Sequence, residues 1–152
     1  MKLPLIKTYI SNGPDETRQL GFNLGRLLRQ GDVVGLYGDL GTGKTTLVKG
    51  IARSFGIEER DIVSASFTII ASYNTIPPFT HIDLYRIEKD AEITELGLWD
   101  HIGGDSISVI EWAEKAERWL PEDMIKVTFK HLGENAREVT IEYADEKNWD
   151  NL

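Results

Sequence analysis

Gly38, Gly43, Lys44 and Thr45 fit the pattern G-x-x-x-x-G-K-[ST], and they lie between two patterned segments. Before them runs Val33-Val34-Gly35-Leu36-Tyr37, a short apolar stretch of buried-strand type, and after them a helical pattern over 44–55 closed by Gly56. Strand, glycine loop and helix in this order constrain the chain more than any other feature, because a phosphate-binding loop must follow a buried strand and open a helix. Average residue usage meets the four specified positions by chance roughly once in two hundred chains of this length. The flanking strand and helix lower that rate further.

Glycines allow successive N–H groups to turn inward at the positive end of a helix dipole, where they suit phosphate oxygens. Read this way, Gly38, Asp39, Leu40, Gly41, Thr42, Gly43, Lys44, Thr45 and Thr46 are nucleotide-contacting residues. Lys44 is expected to reach the β- and γ-phosphates, the Thr45 hydroxyl to ligate Mg²⁺, and Thr46 to assist at the α-phosphate. The motif calls for a purine nucleoside triphosphate, ATP foremost, together with Mg²⁺.

Phosphoryl transfer at such a loop needs a carboxylate at a strand end, to hold the ion's water shell and to orient an attacking water. Glu111 closes the apolar run 106–111, and Asp83 lies in 79–84 between Ile82 and Leu84. An acid on a largely apolar strand is costly to bury unless a cation or hydrogen bonds compensate it. The plainer alternatives are an ion pair of Asp83 with Arg86 or His81, and an exposed strand end for Glu111. His81, two residues before Asp83, shares its strand face. Only His101 and His131 join it as histidines and no ligand spacing is present, so His81 is expected to hydrogen-bond near the nucleotide rather than bind zinc. Trp99, Trp112 and Trp119 are expected in the core or at an interface, since no basic groove accompanies them as it would a base-stacking platform.

The remaining pattern completes an α/β chain. A strand over 5–10 precedes Gly13-Pro14-Asp15-Glu16, a helix start followed by Leu20, Leu24 and Leu27 or Leu28 and ending near Gly31. Strands are expected over 66–73, 79–84 and 106–111, and helices over 91–98 and 113–119. Ile125, Val127 and Phe129, then Val139, Ile141 and Tyr143, alternate with polar residues around Gly133-Glu134-Asn135 and predict an antiparallel hairpin. The expectation is one domain over 1–152 with a mostly parallel central sheet flanked by helices, and loose ends at 1–4 and 145–152. The formal net charge of −8, with no run of Lys and Arg, argues against direct grip on nucleic acid. No cysteine means no disulfide framework or thiolate site, and no secretory signal or spanning apolar run is visible, so a cytoplasmic location is expected.

Taken together, five segments resemble the TsaE (formerly YjeE) family of small bacterial ATPases of tRNA threonylcarbamoylation. They are Leu36 to Thr46, Ser64-Ala65-Ser66-Phe67, His81-Ile82-Asp83-Leu84-Tyr85-Arg86, Glu95-Leu96-Gly97 with Asp100, and Val109-Ile110-Glu111-Trp112. The resemblance implies a P-loop NTPase fold and an ATPase that joins the partners TsaD and TsaB. That assembly makes N6-threonylcarbamoyladenosine (t6A37) in tRNAs reading codons that begin with A, with tRNA reached through the partners and no membrane or DNA contact. Hydrolysis would reset or permit turnover of the TsaD–TsaB machinery rather than transfer the threonylcarbamoyl group. Carried over, Thr45 and Glu111 ligate Mg²⁺, Lys44 binds phosphate, and Asp83 is the Walker-B-like acid that serves catalysis and the metal. Ser66 lies in a nucleotide-sensing loop, the base lies near Ser11 to Thr17, and Arg137 is a further nucleotide contact. The family's S-P-T-F or S-P-T-Y is Ser64-Ala65-Ser66-Phe67 here, and losing the proline frees the loop.

Two other uses of the same loop remain in view. A small-molecule kinase would need an acceptor pocket and a lid with clustered arginines, but Arg86 and Arg118 are scattered. A GTP-dependent switch would use Asp100-His101-Ile102-Gly103 as D-x-x-G, yet no apolar strand precedes it and no N-K-x-D guanine reader exists. Phosphate appearing on an acceptor marks the first, and preference for GTP the second. No arginine finger is assignable, so slow turnover alone and faster turnover with a partner are expected.

Overall fold

The computed structural model describes residues 4–62, 69–143 and 152. In chain order the strands are β1 (Leu5–Ser11), β2 (Val33–Tyr37), β3 (Ile70–Tyr73), β4 (Phe79–Asp83), β5 (Ile107–Glu111), β6 (Ile125–His131) and β7 (Arg137–Tyr143). The helices are α1 (Pro14–Leu27), α2 (Lys44–Arg53) and α3 (Asp90–Glu95), with 3-10 turns at Glu59–Asp61, Leu98–Asp100 and Ala113–Trp119.

The strands form one sheet in the order β1-β7-β6-β2-β5-β4-β3. Its centre, β6-β2-β5-β4, is parallel, while β3 at one edge and β7 and β1 at the other pair antiparallel. Every residue of β2, β4 and β5 is buried, as parallel strands covered on both faces require. β7 instead alternates, with Val139, Ile141 and Tyr143 inward, and forms the expected hairpin with β6.

Alternation sorts the side chains between two layers. Val34, Leu36, Ile107, Val109 and Phe79 pack with Leu24, Leu47 and Ile51 of α1 and α2 on one face. Tyr37, Ile82 and Ile110 pack with Ile93, Leu98 and Ala116 on the other. Beneath the first layer α1 and α2 meet at their backbones. A Cβ on Gly50 would lie 2.1 Å from the Arg18 carbonyl oxygen, and one on Gly21 would lie 2.4 Å from that of Leu47. That close approach sets the position of α2, and hence of the loop at its N-terminus.

Several boundaries differ from expectation. α1 stops at Leu27 rather than near Gly31, because the Arg29 N–H donates to the Asp32 carboxylate at 2.7 Å and this turn competes with the helix. α2 ends at Arg53, two residues short of the periodic pattern. α3 gives way to a 3-10 turn at Gly97 (φ 64°), and 113–119 is 3-10 with a break at Ala116. Of the strand expected over 66–73, residues 66–68 lie outside the described residues. The same holds for most of the expected loose ends, although Leu152 packs against the α1–α2 side of the core. Among the described residues no helix is long and apolar enough to cross a membrane.

Candidate functional site

The parallel strands β2, β4 and β5 all end at one edge of the sheet, where open α/β sheets place their ligand crevice. Asp83 and Glu111 stand opposite each other in register at that edge, and Leu36 is the partner of Glu111 on the other side. Both acids point to the face that carries α2, since they alternate in phase with Phe79 and with Ile107 and Val109. The loop from β2 to α2 therefore arrives directly above them.

Gly41 (φ 79°) and Gly43 (φ 107°) occupy the left-handed region, where a side chain would be strained. Gly43 caps α2 without a side-chain cap, so the orphan N–H donors of the first turn are available at the loop. Thr42 is buried and its hydroxyl donates to the Asp39 carbonyl at 2.8 Å, which stiffens the loop from within. Lys44 is 5% exposed, and its ammonium donates to the carbonyls of Gly38 and Asp39. Burial lowers the Lys44 pKa, and the charge of Glu111 works against that shift.

The Thr45 hydroxyl donates to Glu111 Oε1 at 2.7 Å. His81 Nε2 lies 2.7 Å from Glu111 Oε2, with both side chains 2% exposed. Asp83 is buried as well, and its Oδ1 accepts the Tyr85 N–H at 3.0 Å. Burial raises the Asp83 pKa, and the neighbouring Glu111 raises it further. Candidate ligand atoms of His81, Asp83 and Glu111 all fall within 4.8 Å of one another. The Thr45 hydroxyl and two carboxylates form the all-oxygen donor set that a hard divalent cation takes, and the loop N–H groups with Lys44 suit phosphate.

A cleft of about 370 Å³ lies over these groups, lined among others by Leu40, Lys44, Thr45, Asp83, Glu111 and Trp112. A recess of about 150 Å³ on the other side of the loop shares Gly41, Gly43 and Thr46 with it, and adds Pro14, Thr17 and Arg137. Arg137 joins the hairpin turn to the loop: Nη1 donates to the carbonyls of Gly133, Glu134 and Ala136, and Nη2 to that of Gly41 at 3.2 Å.

Of the two plainer alternatives, an exposed strand end does not hold for Glu111, which is a buried acid with both oxygens engaged. Trp112 is partly buried against the second core layer, in keeping with expectation, and it also leaves β5 in the left-handed region (φ 59°) and turns its ring over the loop, 4.0 Å from Lys44 Nζ. The adjacent Tyr85 ring stands 5.3 Å from it. The one signal for Trp112 in the sequence is its place directly after the strand-end carboxylate. Arg86 is exposed, and Asp100 sits exposed on a 3-10 turn outside the cleft lining. Ser66, with the rest of 64–67, lies outside the described residues.

The model of the family described as "Threonylcarbamoyl adenosine biosynthesis protein TsaE" matches residues 11–139. The chain is 39% identical over 129 residues to the tRNA threonylcarbamoyladenosine biosynthesis protein TsaE of Bacillus subtilis, covering 84% of this chain and 80% of the relative. It is 36% identical over 132 residues to the protein of the same name from Treponema pallidum, covering 87% and 97%. The crystal structure of Bacillus subtilis YdiB superposes with a TM-score of 0.77 at 30% identity, covering 95% of this chain and 90% of that one. With the family model spanning the phosphate-loop motif, the paired acids and most of the sheet, this chain belongs to the TsaE family.

Proposed function

We propose that this protein is a Mg²⁺-dependent ATPase that serves tRNA t6A37 synthesis by acting on a TsaD–TsaB complex in the cytoplasm. The observation that carries the reading is the Thr45–Glu111 contact at 2.7 Å beneath a glycine loop that opens α2. It brings the hydroxyl at the helix start and a buried carboxylate to one point, which a merely structural glycine turn does not require. The names of the relatives, all tRNA threonylcarbamoyladenosine biosynthesis proteins, support the pathway.

In this reading the triphosphate lies along the loop, with the recess by Thr17 and Arg137 on the nucleoside side and Glu111 on the γ side. Lys44 exchanges its bonds to the Gly38 and Asp39 carbonyls for phosphate oxygens, which returns the cost of burying its ammonium. Thr45 and Glu111, with Asp83 nearby, hold Mg²⁺, which supplies neutralisation of the phosphate charge. The Thr45 hydroxyl can offer a lone pair to the ion while its hydrogen stays on Glu111. Asp83 orients the attacking water, since both Glu111 oxygens already accept side-chain hydrogen bonds.

Lys44 is the only cationic side chain lining the cleft among the described residues, facing Asp83 and Glu111 as well as the substrate's charge. Turnover is accordingly slow alone and rises when a partner completes the site. The test combines the protein with purified TsaD and TsaB, tRNA and ATP. Modification should continue past one turnover only when this protein is present, and equal product without it would remove the assignment.

A further inference from the structure

Glu111 is held from two sides, yet only one of its partners belongs to the phosphate loop. Thr45 donates to Oε1, and the other oxygen, Oε2, faces His81 Nε2 at 2.7 Å. Both side chains of the second pair are 2% exposed, so bulk water has little access to the bond between them. A carboxylate can only accept hydrogen bonds, so with Glu111 ionised the proton on this bond resides on His81 Nε2. The bond joins adjacent parallel strands, β4 and β5, and spans 30 residues of sequence. It fixes the plane of the Glu111 carboxylate, because pinning Oε2 leaves Oε1 aimed at Thr45 and the mouth of the loop.

From this geometry, and resting on the reading of the cleft as a Mg²⁺·ATP site, we infer that His81 is a positioning residue whose Nε2–H holds Glu111 in the orientation that receives the metal. His81 does not line the cleft, so its effect passes through Glu111. Ligand-orienting hydrogen bonds of this kind typically govern metal affinity by about 10–100-fold. Asp83 sits on the same strand two residues on, and its Oδ1 is oriented by the Tyr85 N–H rather than by His81. The two acids therefore have separate supports.

The test compares wild type with His81→Leu, which removes the donor at similar bulk, and His81→Gln, which returns an N–H near the same position. Binding of a fluorescent ADP analogue is titrated with Mg²⁺. In His81→Leu the Mg²⁺ concentration for half-maximal effect should rise about 10-fold or more, and in His81→Gln it should stay within about threefold of wild type. Affinity measured without Mg²⁺ should be equal in all three. Unaltered Mg²⁺ dependence in His81→Leu overturns the inference, as does a His81→Gln protein as impaired as His81→Leu. Wild-type nucleotide binding indifferent to Mg²⁺ overturns the reading of the cleft and this inference with it. A second readout needs neither nucleotide nor a His81 variant. The imidazole Nε2–H of the free protein should give a downfield proton resonance protected from exchange and lost in Glu111→Ala, and its absence in wild type also overturns the inference.

Discussion

Gly50→Ala probes whether the glycine loop between β2 and α2 is held in place from below by the contact of α1 with α2. The new Cβ would stand 2.1 Å from the Arg18 oxygen, 2.9 Å from its carbonyl carbon and 3.0 Å from its Cα, where ordinary contact begins at 3.4 Å. All three are backbone atoms, so no side chain can swing aside, and the helices must part by roughly 1 Å. Overpacking of this kind costs about 1–3 kcal/mol, and a separation of that size also thins the contacts of Leu24 with Leu47 and Ile51. Alanine's better helix propensity returns about 0.5–1 kcal/mol. With three backbone atoms inside contact distance the overpacking cost falls in the upper part of that range, so the net expectation is a loss of about 1–2 kcal/mol, or about 3–6 °C in unfolding midpoint for a chain of this size. Because α2 carries the loop at its N-terminus, ATP affinity should fall in the same variant. Thermal unfolding followed by circular dichroism measures the first effect, with Gly13→Ala as control, since Gly13 is extended (φ 172°) and its Cβ would meet nothing within 4 Å. A Gly50→Ala midpoint equal to or above that of wild type would refute the backbone-to-backbone account.

Glu111→Gln should leave the stability within about 2 kcal/mol of wild type, because His81 can change tautomer and accept from the amide, while Mg²⁺-dependent hydrolysis collapses; unchanged ATPase would remove Glu111 from the site. Asp83 carries a pKa raised by burial and by Glu111, so its folded-state value lies above the unfolded one and its ionised form costs stability at neutral pH. Asp83→Asn should thus be more stable than wild type near pH 7 yet inactive, and the stability difference should shrink as pH falls through the raised pKa towards about 4. A difference independent of pH in denaturant titrations would contradict that assignment. Adding Mg²⁺·ATP should change tryptophan emission as Lys44 leaves the Trp112 ring, and Trp112→Phe should abolish the change although three tryptophans remain.

Much of this architecture can be read one dimension at a time. The loop stands out because its spacing is local, and Asp83 and Glu111 because a charge among Ile and Leu on a strand must be compensated. The β6–β7 hairpin follows from period-two alternation. What could not be read depends on which strands become neighbours. The β4–β5 register that sets His81 against Glu111 joins residues far apart in the chain, and nothing local in β1 says that it pairs with β7 at the far edge. Trp112 was hidden for another reason: only its left-handed backbone turns the ring over Lys44, and tryptophan is not a residue from which that conformation is expected. The early end of α1 rests on a turn in which the Arg29 N–H donates to the Asp32 carboxylate and the Asp32 N–H donates back to the Arg29 carbonyl, which helical periodicity does not register.

The most direct measurement is equilibrium binding of ATP, with and without Mg²⁺, to wild type and to Lys44→Ala by calorimetry. Wild type should bind ATP, Mg²⁺ should strengthen that binding, and Lys44→Ala should lose at least about tenfold in affinity with its midpoint little changed, since a charge-assisted bond to phosphate contributes about 1.5–3 kcal/mol. No binding by folded wild type, or equal binding by Lys44→Ala, would contradict the assignment of Gly38 to Thr45 as the phosphate site.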